Sequence, residues 1–335
     1  MNRIEFGDCR DTMRKWASEG VKVQTCVTSP PYFGLRDYGH DGQIGLEQTP
    51  EEYIAAMVEV FQCVKDVLAD DGTLWLNIGD SYASYRDGKA TPDTTRKEST
   101  GTLVPKGSAR NRMASTFSGS GVKHKDLIGI PWMLAFALRA DGWYLRQDII
   151  WHKPNPMPES VRDRCTKAHE YIFLLSKSDR YFFDNEAMKE PAKYGEHHAK
   201  YSGTYTRHKV EAMQVKGATN GENYQRGMQH AMKDPLRRNR RSVWTVATRP
   251  YKGAHFATFP TALIEPCILA GSRPNDIVLD PFMGSGTTAQ VAIQHGRQYL
   301  GCELNPEYSA LQQERIAKAM PAIVDDPQMS LTLAE

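Results

Sequence analysis

Short apolar runs alternate with longer amphipathic stretches through most of this chain. This pattern predicts β-strands and α-helices that alternate along the sequence. Apolar residues indicate strands at 23–27, 73–78, 147–151, 170–175, 276–279 and 299–303. Helices are indicated over 130–138 and 261–270, from Thr287 onward, and between the start signal Thr49-Pro50-Glu51-Glu52 and the stop signal Asp71-Gly72. This order of elements favours an α/β fold with a doubly wound, mostly parallel sheet.

Two polar stretches without periodicity, 81–125 and 184–250, interrupt this pattern. Structureless segments of that length inside a domain are usually functional or disordered. The chain of 335 residues is long enough for one large α/β domain with insertions or for two small domains. We interpret the two polar stretches as insertions in an α/β scaffold.

The net charge of the whole chain is only +2, so it gives no indication of a polyanionic partner. Between residues 184 and 252, however, 14 Lys and Arg residues stand against 7 Asp and Glu residues. The densest part of this segment contains Arg237, Arg238, Arg240 and Arg241. Such a run is able to neutralise phosphates, although a solvated loop accounts for it equally well when it is taken in isolation.

The six cysteines are scattered, without a C-x-x-C pair or a histidine at metal-binding spacing. This distribution favours reduced thiols in a cytoplasmic protein and predicts neither a disulfide framework nor a metal site. The beginning of the chain lacks a basic and apolar leader, and no apolar stretch is long enough to cross a bilayer. We therefore expect a cytoplasmic protein that is neither secreted nor embedded in a membrane.

The strand predicted at 276–279 leads into Asp280-Pro281-Phe282-Met283-Gly284-Ser285-Gly286-Thr287-Thr288. Open α/β sheets bind ligands at the carboxyl ends of their strands, and the two glycines permit a tight turn there. The helix that starts at Thr287 offers free N–H groups to a carboxylate. Glu303 ends the next predicted strand, where an acid commonly holds a ribose diol. A nucleoside cofactor with a carboxylate suits this motif.

Two other cofactor classes fit the glycine turn less well. A phosphate-binding P-loop is excluded because no Gly-Lys-Ser/Thr follows the turn. The dinucleotide pattern G-x-G-x-x-G lacks its third glycine, since Ala289 stands at that position.

A second motif, Thr28-Ser29-Pro30-Pro31-Tyr32, follows the strand predicted at 23–27. The hydroxyl of Ser29 and the carbonyl of Pro30 are able to accept hydrogen bonds from an amine, which localises the nitrogen lone pair. The prolines fix φ, so both acceptors are held in place before a substrate arrives. We expect Tyr32 to stack on a planar base and Phe33 to form a wall of the pocket.

Together the two motifs resemble the DNA amino-methyltransferases, which modify N6 of adenine or N4 of cytosine. The catalytic motif precedes the cofactor motif, as in the permuted β class of that family. The resemblance implies S-adenosyl-L-methionine as cofactor, double-stranded DNA as partner, and extrusion of the target base from the duplex. It implies catalytic roles for Ser29, Pro30, Pro31 and Tyr32. The cofactor-binding residues that it implies are Asp8, Thr28, Phe259, Pro260, Asp280, Phe282, Gly284, Ser285, Gly286, Thr287, Thr288 and Glu303.

The resemblance also divides the chain into functional segments. It implies a catalytic half at 1–80 and 126–183, a cofactor-binding half at 251–320 and a tail at 321–335. The segment 81–125 becomes a loop near DNA, and 184–250 becomes the target-recognition region. DNA contacts are then expected from Lys153 and from the arginines at 237, 238, 240 and 241. A homodimer and a cognate restriction endonuclease are candidate partners, because both occur among such enzymes.

Several alternatives stay open at this point. A Ser at position 29 is more typical of N4-cytosine enzymes and an Asp of N6-adenine enzymes, but either oxygen accepts from either amine. RNA and protein amide methyltransferases usually carry the polar-Pro-Pro-Tyr loop after the cofactor motif, so the order here argues against them. A catalytically inactive DNA-binding relative is the third alternative, and the intact motifs argue against it.

Overall fold

The computed structural model describes residues 1–35, 39–40, 42–83, 122–192, 237–248 and 259–319. The chain divides into two compact units. The first contains Met1–Phe182 and the chain from Val243 onward, and the second contains Phe183–Ser242. The central parts of both predicted insertions, 84–121 and 193–236, lie outside the described residues, as do 249–258 and the tail from 320.

Strands of the first unit form one sheet of eight. They are β1 (Arg3–Phe6), β2 (Val23–Thr28), β3 (Leu68–Ile78), β4 (Tyr144–His152), β5 (His169–Ser176), β8 (Val243–Thr245), β9 (Ile277–Asp280) and β10 (Gln298–Glu303). The helices of this unit are α1 (Cys9–Ser18), α2 (Pro50–Val67), α3 (Ile130–Ala140), α5 (Thr261–Gly271), α6 (Thr287–Gln294) and α7 (Ser309–Ala319), with a 3₁₀ turn at Pro306–Tyr308.

The strand order in the sheet is β1-β10-β9-β2-β3-β5-β4-β8. The five strands from β1 to β3 are mutually parallel, β5 is antiparallel to both of its neighbours, and β8 is parallel to β4. This arrangement confirms the predicted doubly wound, mostly parallel sheet. From β9 the chain continues to β10 on one side, and from β2 it continues to β3 on the other. The β9–β2 boundary is therefore the switch point at which such sheets bind ligands.

Helix α2 begins where the sequence predicts, but it ends earlier. Thr49 and Glu52 form a capping box and Pro50 occupies the first turn. The predicted end at Asp71-Gly72 is wrong, because Leu68 is already extended and β3 runs from Leu68 to Ile78. Gly72 serves strand packing instead, since a Cβ there would lie 2.9 Å from the Gln24 carbonyl oxygen of β2. Strand β3 thus starts at Leu68, before the glycine, and its buried apolar run follows the glycine.

Buried side chains from both faces of the sheet form the core of the first unit. Trp16 of α1, Phe61 of α2 and Trp75 of β3 are each at most 1% exposed. Burying a large apolar side chain contributes roughly 1.5–3 kcal/mol to folding. Helix α1 was not predicted, although Met13 and Trp16 share one of its faces and Asp8 caps it. The short strand β1 was also missed.

The two described pieces of the second unit pair with each other. Helix α4 (Asn185–Met188) leads into β6 (Glu190–Pro191), which is antiparallel to β7 (Arg237–Arg238). The predicted target-recognition region, 184–250, extends beyond this unit, because β8 pairs with β4 in the main sheet. Within the described ranges, no helix is both long and apolar enough to cross a membrane.

Candidate active site

A cavity of about 840 Å³ opens at the edge of the sheet where β2, β9 and β10 end. Its walls include Ser29–Tyr32 after β2, Asp280–Ser285 after β9 and Glu303–Asn305 at the end of β10. Asp8 after β1 and Glu170 near the start of β5 also line it. The two sequence motifs, about 250 residues apart in the chain, therefore meet in one cavity at the switch point of the sheet.

Asp280, the last residue of β9, links β9 to the end of β2 through hydrogen bonds. Its carboxylate is 1% exposed and accepts hydrogen bonds from Thr28 Oγ1 (2.6 Å), Thr288 Oγ1 (2.7 Å) and the Phe282 N–H (3.0 Å). Burial raises the pKa of Asp280 to about 6, although these three donors oppose the shift. Thr28 and Thr288 were predicted to touch the cofactor, but neither is on the cavity wall, and both hold Asp280 instead.

The glycine turn after β9 is shaped by contacts on both sides. Gly284 and Gly286 have positive φ values of 53° and 85°, which L-residues with side chains rarely adopt. The Gly284 N–H donates to Glu303 Oε2 (2.7 Å) and its carbonyl accepts from Gln312 Nε2 (2.7 Å). Gly284 therefore lines the cavity, whereas Gly286 does not line it and packs against Gln312.

Glu303 presents an acid to the cavity from the end of β10. One carboxylate oxygen accepts from Gly284 and the other from the Asn305 N–H (2.9 Å). Each oxygen keeps a further lone pair, so the carboxylate is able to accept from the two hydroxyls of a ribose. Burial raises the pKa of Glu303 above its ordinary value, and these two N–H donors oppose the shift.

Asp8 lines the same cavity after β1. Its carboxylate caps α1 through the Arg10 N–H (2.8 Å) and pairs with the Arg10 guanidinium at 2.6 Å. The hydrogen bonds and charge of Arg10 hold the pKa of Asp8 below its ordinary value. Asp8 therefore lines the cavity with an ionised carboxylate that is paired with Arg10, and its role in cofactor binding stays a prediction.

The chemistry of the remaining wall suits a nucleoside with an amino-acid tail. Phe259, Phe282 and Met283 supply apolar surface for a purine, and the hydroxyls of Ser285 and Thr287 lie at the start of α6. Pro260, which was also predicted to bind the cofactor, is not on the wall. The acids, the apolar wall and the helix N-terminus are the groups that S-adenosyl-L-methionine requires.

Arg315 of α7 supports this wall from behind and was missed by sequence reasoning. Its guanidinium donates to Ser285 Oγ at 2.7 Å and to the Thr287 hydroxyl. Helix α7 is polar, with only Gln312 and Ala319 buried, so no apolar pattern marked it as part of the site.

The catalytic loop is fixed from below by α2. The hydroxyl of Tyr53, which is 0% exposed, donates to the Pro31 carbonyl at 2.9 Å. Phe33 was expected on the pocket wall, but it is 2% exposed and packs against Tyr53 with ring centroids 5.6 Å apart. The expectation was wrong because the chain turns into the core directly after Tyr32.

The Tyr32 hydroxyl is tied to a polar cluster at the ends of β3 and β5. It donates to Glu170 Oε2 at 2.8 Å, and Asn77 Oδ1 is 3.4 Å away. Burial, followed by the nearby Glu170 charge, raises the pKa of Tyr32 well above its usual range, while Ser29 opposes the shift. The phenol therefore stays protonated and keeps donating, which holds the ring at one position over the cavity.

Lys153 belongs to this cluster. It was predicted to contact DNA, but its ammonium group forms an ion pair with Glu170 and lies 4.3 Å from the centre of the Trp151 ring. Glu170 thus accepts from both Lys153 and Tyr32. No role was assigned from the sequence to Glu170 or Asn77, although the polar Asn77 within the apolar run Leu74–Ile78 was an available signal.

The predicted basic DNA contact is part of the second unit. Arg237 donates to the Glu186 carbonyl (2.8 Å), Arg238 pairs with Glu190 (2.9 Å), and Arg240 donates to the Met188 carbonyl (3.3 Å). Arg241 is exposed. Part of the positive run thus stabilises its own unit, and a role in DNA binding stays a prediction.

Comparison with known proteins places the chain in the DNA methylase family, whose model matches residues 23–314. The Type II methyltransferase M.Cfr9I of Citrobacter freundii is 47% identical over 302 residues, which cover 90% of this chain and 83% of that protein. The Type II methyltransferase M.SmaI of Serratia marcescens is 46% identical over 319 residues, or 94% and 91% of the two chains.

Solved structures show the same fold. PvuII DNA methyltransferase (cytosine-N4-specific) aligns over 98% of this chain and 90% of that one, with a TM-score of 0.57 and 16% identity. The M1.HpyAVI–SAM complex aligns over 94% and 99%, with a TM-score of 0.54 and 18% identity. The chain is accordingly a site-specific, S-adenosyl-L-methionine-dependent DNA methyltransferase that modifies an exocyclic base amine.

Proposed function

We propose that this enzyme methylates N4 of cytosine. The observation that carries the proposal is Ser29, a neutral hydroxyl where an acid is typical of N6-adenine enzymes. The cytosine-N4-specific PvuII enzyme among the structural relatives agrees with it, although at 16% identity that likeness extends to the fold alone. The order of the two motifs supports membership of the permuted β class.

The reaction requires an exocyclic amine to act as a nucleophile although its lone pair is delocalised into the ring. S-adenosyl-L-methionine supplies an activated methyl group on a sulfonium. Ser29 Oγ and the Pro30 carbonyl accept hydrogen bonds from the amine, which favours tetrahedral nitrogen and localises the lone pair. Because Tyr53 holds the Pro31 carbonyl, this loop requires little reorganisation when the base arrives.

Tyr32 then positions the base. Its ring stacks on the base plane, and the hydrogen bond to Glu170 prevents the ring from turning away. The ion pair with Lys153 fixes Glu170 in turn. Lys153 therefore holds Glu170 in position, and Glu170 holds the Tyr32 ring. The proton released from the amine passes to water, since methylation makes that proton more acidic.

On the cofactor side, Glu303 holds the ribose and Asp8 faces the cationic tail. The N–H groups that begin α6 favour the carboxylate of the tail. Asp280 acts as a positioning residue, because both of its oxygens already accept bonds within the chain. Its bonds to Thr28 and Thr288 set the distance between the cofactor and the catalytic loop.

The target base leaves the duplex to reach the cavity, at a cost of a few kcal/mol. Phosphate contacts from the basic run at 237–241 anchor the DNA, and the segments 81–125 and 184–250 supply the readout of sequence. The names of the Type II relatives support a cognate restriction endonuclease as partner. We extend the proposal to a cytoplasmic enzyme that assembles as a homodimer, which sedimentation at several concentrations tests.

The test is mass spectrometry of nucleosides from unmethylated duplex DNA incubated with the enzyme and deuteromethyl-labelled S-adenosyl-L-methionine. We expect labelled N4-methylcytosine, and strongly reduced labelling with Tyr32→Ala protein prepared in the same way. Labelled N6-methyladenine would refute cytosine as the target base, while the assignment of the chain as a DNA methyltransferase would still hold.

A further inference from the structure

Met157 projects into solvent at the mouth of the cavity. It is 85% exposed, the highest value among the large hydrophobic side chains of the described residues. It nevertheless lines the same cavity as Ser29 and Tyr32. An apolar side chain so exposed contributes little to folding, so its placement beside the catalytic loop calls for another explanation.

The loop that carries Met157 is held in place. Pro156 and Pro158 flank the residue and fix φ on both sides. Asn155 forms two hydrogen bonds of 3.0 Å with the Thr248 backbone, one to the carbonyl and one from the N–H. At the start of the loop, the Lys153 N–H donates to the Ala168 carbonyl at 2.8 Å. The exposure of Met157 is thus imposed by a braced backbone.

We propose that Met157 enters the DNA stack at the position vacated by the target base. The inference rests on the proposed extrusion of that base into the cavity. A vacant position in a duplex leaves two base faces without a partner, and apolar wedges such as Met are used to fill similar gaps. Met suits the task because its unbranched, flexible and polarizable side chain adapts to an irregular space.

Among the described residues, Leu35 is the other large, exposed apolar residue on the cavity wall, but it fits the task less well. It is 53% exposed and carries a shorter, branched side chain. No pair of prolines braces it, in contrast to Met157. We therefore assign the insertion to Met157.

The experiment uses two oligonucleotide duplexes that carry the sequence methylated by the wild-type enzyme. In one the target base is paired, and in the other it stands opposite an abasic site, where extrusion breaks no base pair. For Met157→Ala we expect a single-turnover rate about tenfold lower on the paired duplex but less than about twofold lower on the other, because the wedge offsets lost stacking and pairing. Met157→Leu keeps an apolar but shorter, branched side chain, so it should retain more of the rate on the paired duplex than Met157→Ala does.

Tyr144→Ala is the matched control, because Tyr144 is 45% exposed at the start of β4, the strand that precedes the Met157 loop, where it pairs with Ser176. It should leave both rates unchanged. Equal losses of Met157→Ala on the two duplexes, an unchanged rate on the paired one, or weakened S-adenosyl-L-methionine binding by calorimetry would each overturn the proposal. Failure of the proposed function is distinguishable, since nucleosides from the paired duplex methylated by the wild-type enzyme would then contain N6-methyladenine in place of N4-methylcytosine.

Discussion

Gly79 stands at the end of β3, where the polypeptide passes the Tyr32–Glu170 pair too closely for a side chain. A Cβ at this position would lie 2.6 Å from Tyr32 Cε2 and 3.3 Å from Glu170 Cδ. Ordinary van der Waals contact begins at 3.4 Å, so Gly79→Ala forces the Tyr32 ring back by about 0.8 Å. Gly79 does not have a positive φ, so alanine fits the backbone itself.

We expect a displacement of the Tyr32 ring by this distance to lower turnover. Misplacing a reacting group by about 1 Å costs roughly 100-fold in rate, so we expect Gly79→Ala to lower turnover between about 10-fold and 100-fold. Cofactor affinity should stay close to that of the wild type, because the added methyl group contacts neither Glu303 at the end of β10 nor the glycine turn after β9. Labelled methyl transfer to duplex DNA measures the first quantity and calorimetry the second.

A double-mutant cycle with Tyr32→Ala tests whether the clash acts through the tyrosine ring. Once the ring is gone, the added methyl of Gly79→Ala has no ring to displace and should cost less than about twofold. The reasoning is refuted if Gly79→Ala turns over at the wild-type rate, or if it costs the same factor with and without Tyr32.

Three further predictions concern the cofactor half and the basic run. Glu303→Gln leaves one N–H donor of Gly284 or Asn305 facing an amide nitrogen, so S-adenosyl-L-methionine should bind about tenfold more weakly or worse in calorimetry; an unchanged Kd would exclude the assigned ribose site. Burial raises the pKa of Asp280 from 3.8 to about 6, so the folded state binds more protons between those values. The stability of the wild type relative to Asp280→Asn should therefore be greatest below about pH 4 and fall by about 3 kcal/mol as the pH rises through 6, measured by urea unfolding; a difference independent of pH would contradict this. Arg241→Ala should reduce the slope of log K for DNA against log salt by about 0.9 if this guanidinium contacts one phosphate, whereas an unaltered slope removes it from the interface.

Local patterns in the sequence were sufficient for the two motifs and for most strands. The Ser29–Tyr32 loop and the Gly284–Gly286 turn each depend on a few consecutive residues, and both follow apolar strands that pair in parallel. Their convergence followed from topology alone, since parallel strands place their carboxyl ends at one edge of a sheet.

Residues that act through distant partners were not predictable in the same way. Glu170 is 138 residues from Tyr32, and Arg315 is 30 residues from Ser285, with no sequence pattern that connects either pair. The ion pair of Lys153 was not predictable for the same reason, because its partner Glu170 is brought beside it only when β4 and β5 pair. The end of α2 was misplaced because Gly72 was interpreted as a helix stop although it serves strand packing.

The measurement that tests the account most directly is a crystal structure of the enzyme with S-adenosyl-L-methionine and a duplex that carries the target sequence. We predict ribose hydroxyls within hydrogen-bonding distance of Glu303, and an extruded base stacked on Tyr32 with its amine facing Ser29 and the Pro30 carbonyl. A cofactor bound away from Glu303, or a target amine held by other residues, would contradict this prediction.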